Sequence, residues 1–282
     1  MRKHLSSILI VVFVIAGLGL ILYPVISNLK NSSKANVLIV EYDDEVKAQT
    51  EAEWKQELQS AHDYNTRLYE GSILPDNAGH VEGYENELNI SGTGIMGYVN
   101  IDKIGVKLPI YHGTDNGVLQ VGAGHVGFSS LPVGGPSTHC VISGHRGLPS
   151  ATLFTDLPEL EIGDEFTITV LDQVLTYRVD NIETVLPDEI GDLLIVEGKD
   201  YCTLVTCTPY GINSHRLLVR GERVQDKEET AGVLITNQGI QIDPPVVAVF
   251  MAIPILLAVI LFIYIWGRTG TTGKRSEKRN EK

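Results

Sequence analysis

The sequence predicts a mainly β protein: a closed, mostly antiparallel barrel with short helical insertions, a helical extension before it, and an apolar helix at each end. Three observations lead there. From Ile95 onward the chain breaks into short β-branched, partly alternating runs bounded by Gly, Pro, Asp or Asn. Residues 43–70 contain neither Gly nor Pro. Two stretches, Leu5–Leu29 and Pro244–Gly267, contain no charged residue.

The first of these stretches is long enough to cross the hydrocarbon layer, about 30 Å thick, as a helix, the form that satisfies its own backbone groups in lipid. Its apolar run exceeds that of an ordinary signal peptide and no small-x-small cleavage site follows, so it is expected to stay as an anchor. Residues 1–30 thus form a cytoplasmic tip and first span. Arg2 and Lys3 precede this span. Arg268, Lys274, Arg275, Lys278, Arg279 and Lys282 follow the second, at 244–267. The positive-inside rule puts both termini in the cytoplasm and the middle of the chain outside, as in a two-span membrane protein.

Residues 31–93 are expected to be an extracellular helical segment followed by a loop. Asp43 and Asp44 suit a helix start, and Trp54, Leu58, Ala61, Asn65 and Leu68 share one face that packs on the domain. Residues 71–93 are rich in turn formers and lack periodicity, which predicts a long loop of the kind that covers a site. The barrel is expected over 94–224, with strand-like runs at 96–113, 139–145, 164–172, 175–185, 201–207 and 215–224, and short helices within 150–157 and 189–196. Residues 225–243 read as a linker to the second span, and 268–282 as a basic tail.

The chain carries 22 Lys and Arg against 35 Asp and Glu, a formal net charge of −13. Its basic ends make the middle more acidic still, which argues against nucleic acid and anionic lipid as partners of that part. Three cysteines make no disulfide framework, and an odd number leaves at least one thiol free. A free thiol outside the cell is a liability unless it is buried or used.

Cys207 looks used. It ends the run 201–207, and Arg216 opens the next run across a loop, 208–215, of good turn formers. If the runs pair as antiparallel strands, Cys207 faces Arg216. A cation there favours the nucleophilic thiolate, and the guanidinium offers forked donors for an oxyanion. Such a nucleophile needs a proton carrier. His62, His80, His112, His125, His139, His145 and His215 are the choices outside the membrane. His145 ends an apolar strand as Cys207 does, and position favours it. His215 adjoins Arg216 and points the other way by alternation; His125 and His139 suit structural or surface roles. Cys140 and Cys202 have the opposite parity to His145 and Cys207, so they face the core if the pair faces a cleft, as a free buried pair.

The stretch TLVTCTPYGINSHRLLVRGER strongly resembles the active-site segment of sortases, the cysteine transpeptidases of Gram-positive surfaces. Thr203-Leu204-Val205-Thr206-Cys207, Arg216 and Gly144-His145 match the family's motifs, and the likeness runs from about Ile95 to Arg223. The continuation after Cys207, a second span and the long segment before the barrel look most like the pilus-assembling class C. The resemblance implies a sortase-type barrel of about eight strands. It implies that the Cys207 thiolate attacks the Thr–Gly bond of a Leu-Pro-x-Thr-Gly sorting signal on a pilin or surface protein. His145 then protonates the leaving amine, Arg216 holds the signal and its oxyanion, and Thr206 contacts the substrate. An amine, a pilin lysine in that class, resolves the thioester; attachment to cell-wall peptide stems and a non-catalytic tethered scaffold are the rival readings. No metal or organic cofactor is expected, since no C-x₂-C or H-x₃-H pairing occurs near the thiols.

Class C members commonly carry a lid anchored by an Asp-Pro-aromatic motif. This chain has Leu74-Pro75-Asp76 in the reverse order, which makes Asp76 and Tyr84 the lid candidates. Gly122-x-Gly124-x-x-Gly127 matches a dinucleotide fingerprint, but the FSSLPVGGP that follows cannot open a helix, so a tight turn is the reading.

Overall fold

The computed structural model describes residues 2–71, 81–90 and 92–224. The expected second span at 244–267, the linker and the tail lie outside these residues. The chain divides into two units between Ile26 and Ser27. The described part of the first is the beginning of helix α1 (Arg2–Ala48). Within it, Phe13, Leu20 and Ile21 are exposed to their surroundings, unlike the side chains of a core helix. The helical stretch Val12–Ala48 is long and apolar enough to cross a membrane.

In the second unit α1 becomes amphipathic. Ala35, Ile39, Tyr42 and Val46, spaced 4-3-4, are buried as one stripe. The Tyr42 hydroxyl donates to the Met96 carbonyl (3.0 Å) and accepts the Leu171 N–H (2.8 Å), tying the helix to the barrel. Asp43 does not start a new helix, as the sequence reading expected; residues 43–48 continue α1. The break falls at Thr50, where a capping box opens α2 (Glu51–Glu70). The Thr50 hydroxyl accepts the Glu53 N–H (3.4 Å), and the Glu53 carboxylate accepts the Thr50 N–H (2.7 Å). The predicted face of α2 does pack on the domain: Ala61, Asn65 and Leu68 are buried and Trp54 and Leu58 lie against the core. Asn65 is fastened twice to Leu131, accepting its N–H (2.7 Å) and donating to its carbonyl (3.1 Å).

Eight strands follow: β1 (Ile95–Ile101), β2 (Val106–His112), β3 (Ala123–His125), β4 (Thr138–Ser143), β5 (Glu165–Val170), β6 (Gln173–Val185), β7 (Asp200–Thr208) and β8 (His215–Arg223). They close a barrel in the order β1-β2-β3-β4-β7-β8-β6-β5. Closure leaves no sheet edge to template aggregation. The neighbours are antiparallel except β2–β3 and β4–β7, which run parallel. The expected helical insertions shrink to 3₁₀ turns at Leu157–Glu159 and Gly191–Leu193, too short to be helices with a buried face.

The glycine-rich Gly122–Gly127 segment has no helix after it. Instead Gly124 lets β3 lie against the chain after β2, because a Cβ there would sit 2.3 Å from the Gly113 carbonyl.

Alternation along β4 and β7 separates two apolar clusters. Cys140, Ile142, Cys202 and Leu204 join the barrel core with Val99, Phe166 and Val219. Val141 and Val205 join Leu193 and Leu218 in a smaller second cluster, on the outer face of the same strands by parity.

Candidate active site

Cys207 and Arg216 are brought together by local pairing. β7 and β8 are antiparallel, with Cys207 directly opposite Arg216. Side chains of opposed residues leave the sheet on the same face, with Cβ atoms about 5 Å apart. Both residues are partly exposed. Parity places them on the outer face, continuous with Val205 and Leu218. The Arg216 Nη1 donates to the carbonyls of Asn213 (3.3 Å) and His215 (3.1 Å), which holds the guanidinium at the loop. Among the described residues Arg216 forms no salt bridge, so its charge is not committed to a carboxylate there.

His145 arrives from far along the chain. β4 runs parallel to β7, with Ser143 opposite Val205. The pairing continues past the end of β4: the Gly144 N–H donates to the Val205 carbonyl (3.0 Å), and the Thr206 hydroxyl donates to the Gly144 carbonyl (2.8 Å). His145 is the next residue of that strand, with the parity of Val141 and therefore the outer face that carries Cys207. The strand packs tightly there, since a Cβ at Gly144 would lie 2.5 Å from the Phe154 ring. The His145 carbonyl accepts the Phe154 N–H (3.1 Å). Partial burial holds the His145 imidazole below the ordinary histidine range, which favours its neutral form.

The remaining predicted residues fall elsewhere. Thr206 is buried, with the opposite parity to Cys207, and its hydroxyl donates to the Gly144 carbonyl, which braces the histidine strand. Asp76 lies outside the described residues. Tyr84 is no cover. It is buried, with its hydroxyl 2.8 Å from His125 Nδ1 and accepting the Gly113 N–H (3.1 Å). The described part of the expected loop, residues 81–90, is packed into the domain around Tyr84 and Leu88.

His125 and His139 are buried, in keeping with structural roles. His139 Nδ1 donates to the Leu194 carbonyl (2.9 Å) and Nε2 lies 2.7 Å from the Thr203 hydroxyl. This ring pins the β6–β7 connection to the barrel wall. Burial, with the Arg220 charge adding to it, pulls its pKa down to about 4, against the opposing hydrogen bond to Leu194. Cys140 and Cys202 are paired neighbours on β4 and β7, both buried and both free thiols, on the core side as parity required. Burial, together with the adjoining Cys140, raises the Cys202 thiol well above its ordinary range.

The sequence reading overlooked the outer apolar cluster. Val141, Val205, Leu193 and Leu218, flanked by Val126, Phe128, Val185 and Ile190, lie on the face that carries Cys207 and Arg216. The signal was available: Val141 and Val205 share the parity of His145 and Cys207.

Comparison with known proteins gives a consistent result. A family model described as the sortase domain matches residues 99–224. Sortase D of Bacillus subtilis is 32% identical over 131 residues, 45% of this chain and 63% of that protein. Sortase A of Bacillus anthracis is 27% identical over 133 residues, 47% of this chain and 61% of that protein. The chain thus spans less than two thirds of these curated relatives. Solved structures match at greater extent. Sortase C1 from Streptococcus agalactiae is 49% identical with a TM-score of 0.62, covering 67% of this chain and 98% of that one. Sortase C of Streptococcus pneumoniae, whose structure was described for catalysis and pilin substrate specificity, is 46% identical with a TM-score of 0.61, covering 67% and 97%. With its closed eight-stranded barrel, its Cys207–Arg216 pair and these likenesses, the chain belongs to the sortase family of cysteine transpeptidases and resembles the class C sortases in structure.

Proposed function

We propose that this protein is a membrane-anchored transpeptidase that cleaves a Leu-Pro-x-Thr-Gly-type signal between Thr and Gly and joins it to an amine, a lysine of a pilin subunit. The observation that carries the reading is the register that sets Cys207 opposite Arg216, with His145 one residue beyond the Gly144 that hydrogen-bonds to β7.

In the first half-reaction the neutral His145 takes the Cys207 thiol proton as the sulfur bonds to the threonine carbonyl carbon. Arg216 donates hydrogen bonds to the oxyanion that forms. His145 gives its proton to the glycine nitrogen as the C–N bond breaks, which leaves a thioester and a free amine. In the second, the acceptor amine loses a proton to the neutral His145 and attacks the same carbon. An amide forms and the Cys207 thiolate departs. The outer apolar cluster offers Val205 and Leu218 as a floor for the leucine and proline of the signal. Thr206 acts through Gly144 and does not touch the substrate.

For localisation we propose the apolar stretch Leu5–Leu29 of α1 as the membrane anchor and 244–267 as a second span, with the barrel of 94–224 outside and both termini in the cytoplasm. The exposed apolar side chains of α1 and the basic residues beyond each stretch support this.

Mass spectrometry of the full chain after incubation with a Leu-Pro-x-Thr-Gly peptide tests the reaction. A thioacyl adduct on Cys207, absent in a folded Cys207→Ala variant, is the expected result. No adduct, or one that survives the substitution, overturns it. Adding pilin lysine or a wall-stem amine in parallel shows which acceptor forms the amide; turnover with the wall stem alone overturns the pilus assignment.

A further inference from the structure

The loop after His145 holds a second arginine outside the three-residue set. Arg146 Nε donates to the carbonyl of Thr155 (3.2 Å), across the base of its own loop. Its Nη1 donates to the hydroxyl of Thr208 (3.3 Å), on β7. Arg146 directly follows His145, and Thr208 directly follows Cys207. The same guanidinium lies 5.9 Å from the centre of the Tyr210 ring, in the β7–β8 loop. Gly147 completes the contact. It has φ +77°, and a Cβ there would sit 2.8 Å from that ring, so only glycine lets the histidine loop back onto Tyr210.

β4 ends at Ser143, and the hydrogen bonds from Gly144 and Thr206 carry its register one residue further. Beyond Gly144 no backbone ladder sets the distance between the histidine and the cysteine strand. The Arg146 fork spans that gap. A planar guanidinium can satisfy two acceptors in fixed directions at once, which a lysine cannot. We propose that Arg146 is a positioning residue that sets the spacing of His145 and Cys207 by tying the histidine loop to Thr208.

This rests on the proposed reaction, and the test separates the two. Initial rates of signal-peptide cleavage are measured on the full chain in detergent for wild type, Arg146→Ala, Arg146→Lys, Thr208→Val and Arg146→Ala/Thr208→Val. Misplacing a catalytic group by about 1 Å costs up to roughly 100-fold in rate. Arg146→Ala is expected to lower kcat roughly 10- to 100-fold and to leave KM within about threefold, because the contact serves geometry and not substrate binding. Arg146→Lys restores part of the loss. Thr208→Val lowers kcat in the same sense, and the double variant is no worse than Arg146→Ala alone, the signature of one shared contact.

A second arm needs no peptide: alkylation of Cys207 by iodoacetamide near neutral pH is expected to slow several-fold in Arg146→Ala. Should wild type cleave no signal, the proposed function fails and alkylation alone decides this inference. A kcat within twofold of wild type overturns it, as does a loss confined to KM, additivity of the two substitutions, or unchanged alkylation. Should Arg146→Ala not fold, as seen by labelling of Cys140 and Cys202, the Thr208→Val result decides.

Discussion

Acid should weaken the protein through one buried ring. His139 is held in its neutral form, with Nδ1–H given to Leu194 and Nε2 facing Thr203. Its folded pKa is about 4 against an ordinary 6.5. The folded state therefore binds fewer protons than the unfolded state between these values, so stability rises with pH there. The contribution is complete above about pH 6.5, is lost as pH falls, and levels off below about 4. At about 1.4 kcal/mol per pH unit the whole window is worth roughly 3 kcal/mol, of which roughly 2 kcal/mol is gone by about pH 5. The test is urea unfolding of the full chain in detergent at neutral and mildly acidic pH, for wild type and His139→Gln. Glutamine does not titrate, so the carboxylates contribute alike to both proteins and the difference isolates His139. Wild type should lose about 2 kcal/mol more than the variant on going to about pH 5. Equal losses would refute the argument. Because His139 pins Leu194, and with it the β6–β7 connection beside the outer apolar cluster, hydrogen exchange of residues 190–196 should rise in the same pH range.

Gly144→Ala puts a methyl group 2.5 Å from the Phe154 ring. It should cost about 1–3 kcal/mol in thermal or urea unfolding and most of the peptide turnover, since it displaces the residue before His145; full stability and activity would deny the close packing. A membrane-impermeant maleimide should label one thiol per native chain, Cys207, and all three in denaturant; native labelling of Cys140 or Cys202 would contradict their burial. In an NMR titration the His145 imidazole should have its midpoint below the ordinary 6.5, because burial disfavours the charged form. A midpoint at or above that value would show that a charge partner outweighs burial.

Several parts of the molecule were legible in residue order because they depend on near neighbours. Strand alternation and turn residues gave the β7–β8 pairing and its register, with Cys207 facing Arg216 across a short loop. Parity alone assigned Cys140 and Cys202 to the core side. The start of α2 was legible too, in the Thr50-x-x-Glu53 capping box, but the absence of Gly and Pro drew the boundary to Asp43 instead. Tyr84 misled for a different reason. Its surroundings in the chain are those of a loop, and contacts from distant segments, with His125, Gly113, His112 and Tyr64 among them, draw it into the interior.

Residue order by itself therefore determined that the chain from Ile95 is mainly strand, though it missed β3 in the glycine-rich segment and the break between β1 and β2; it also determined which stretch of α1 is apolar enough for lipid, and that Cys207 and Arg216 face each other at one hairpin. The fold decided which histidine-bearing strand lies beside β7. Gly144 and Thr206 are 62 residues apart, and the parallel pairing that joins their strands has no turn to specify it. Parallel register is set by the packing of the whole barrel, where side chains from every strand compete for one interior, and local propensity carries no record of that competition.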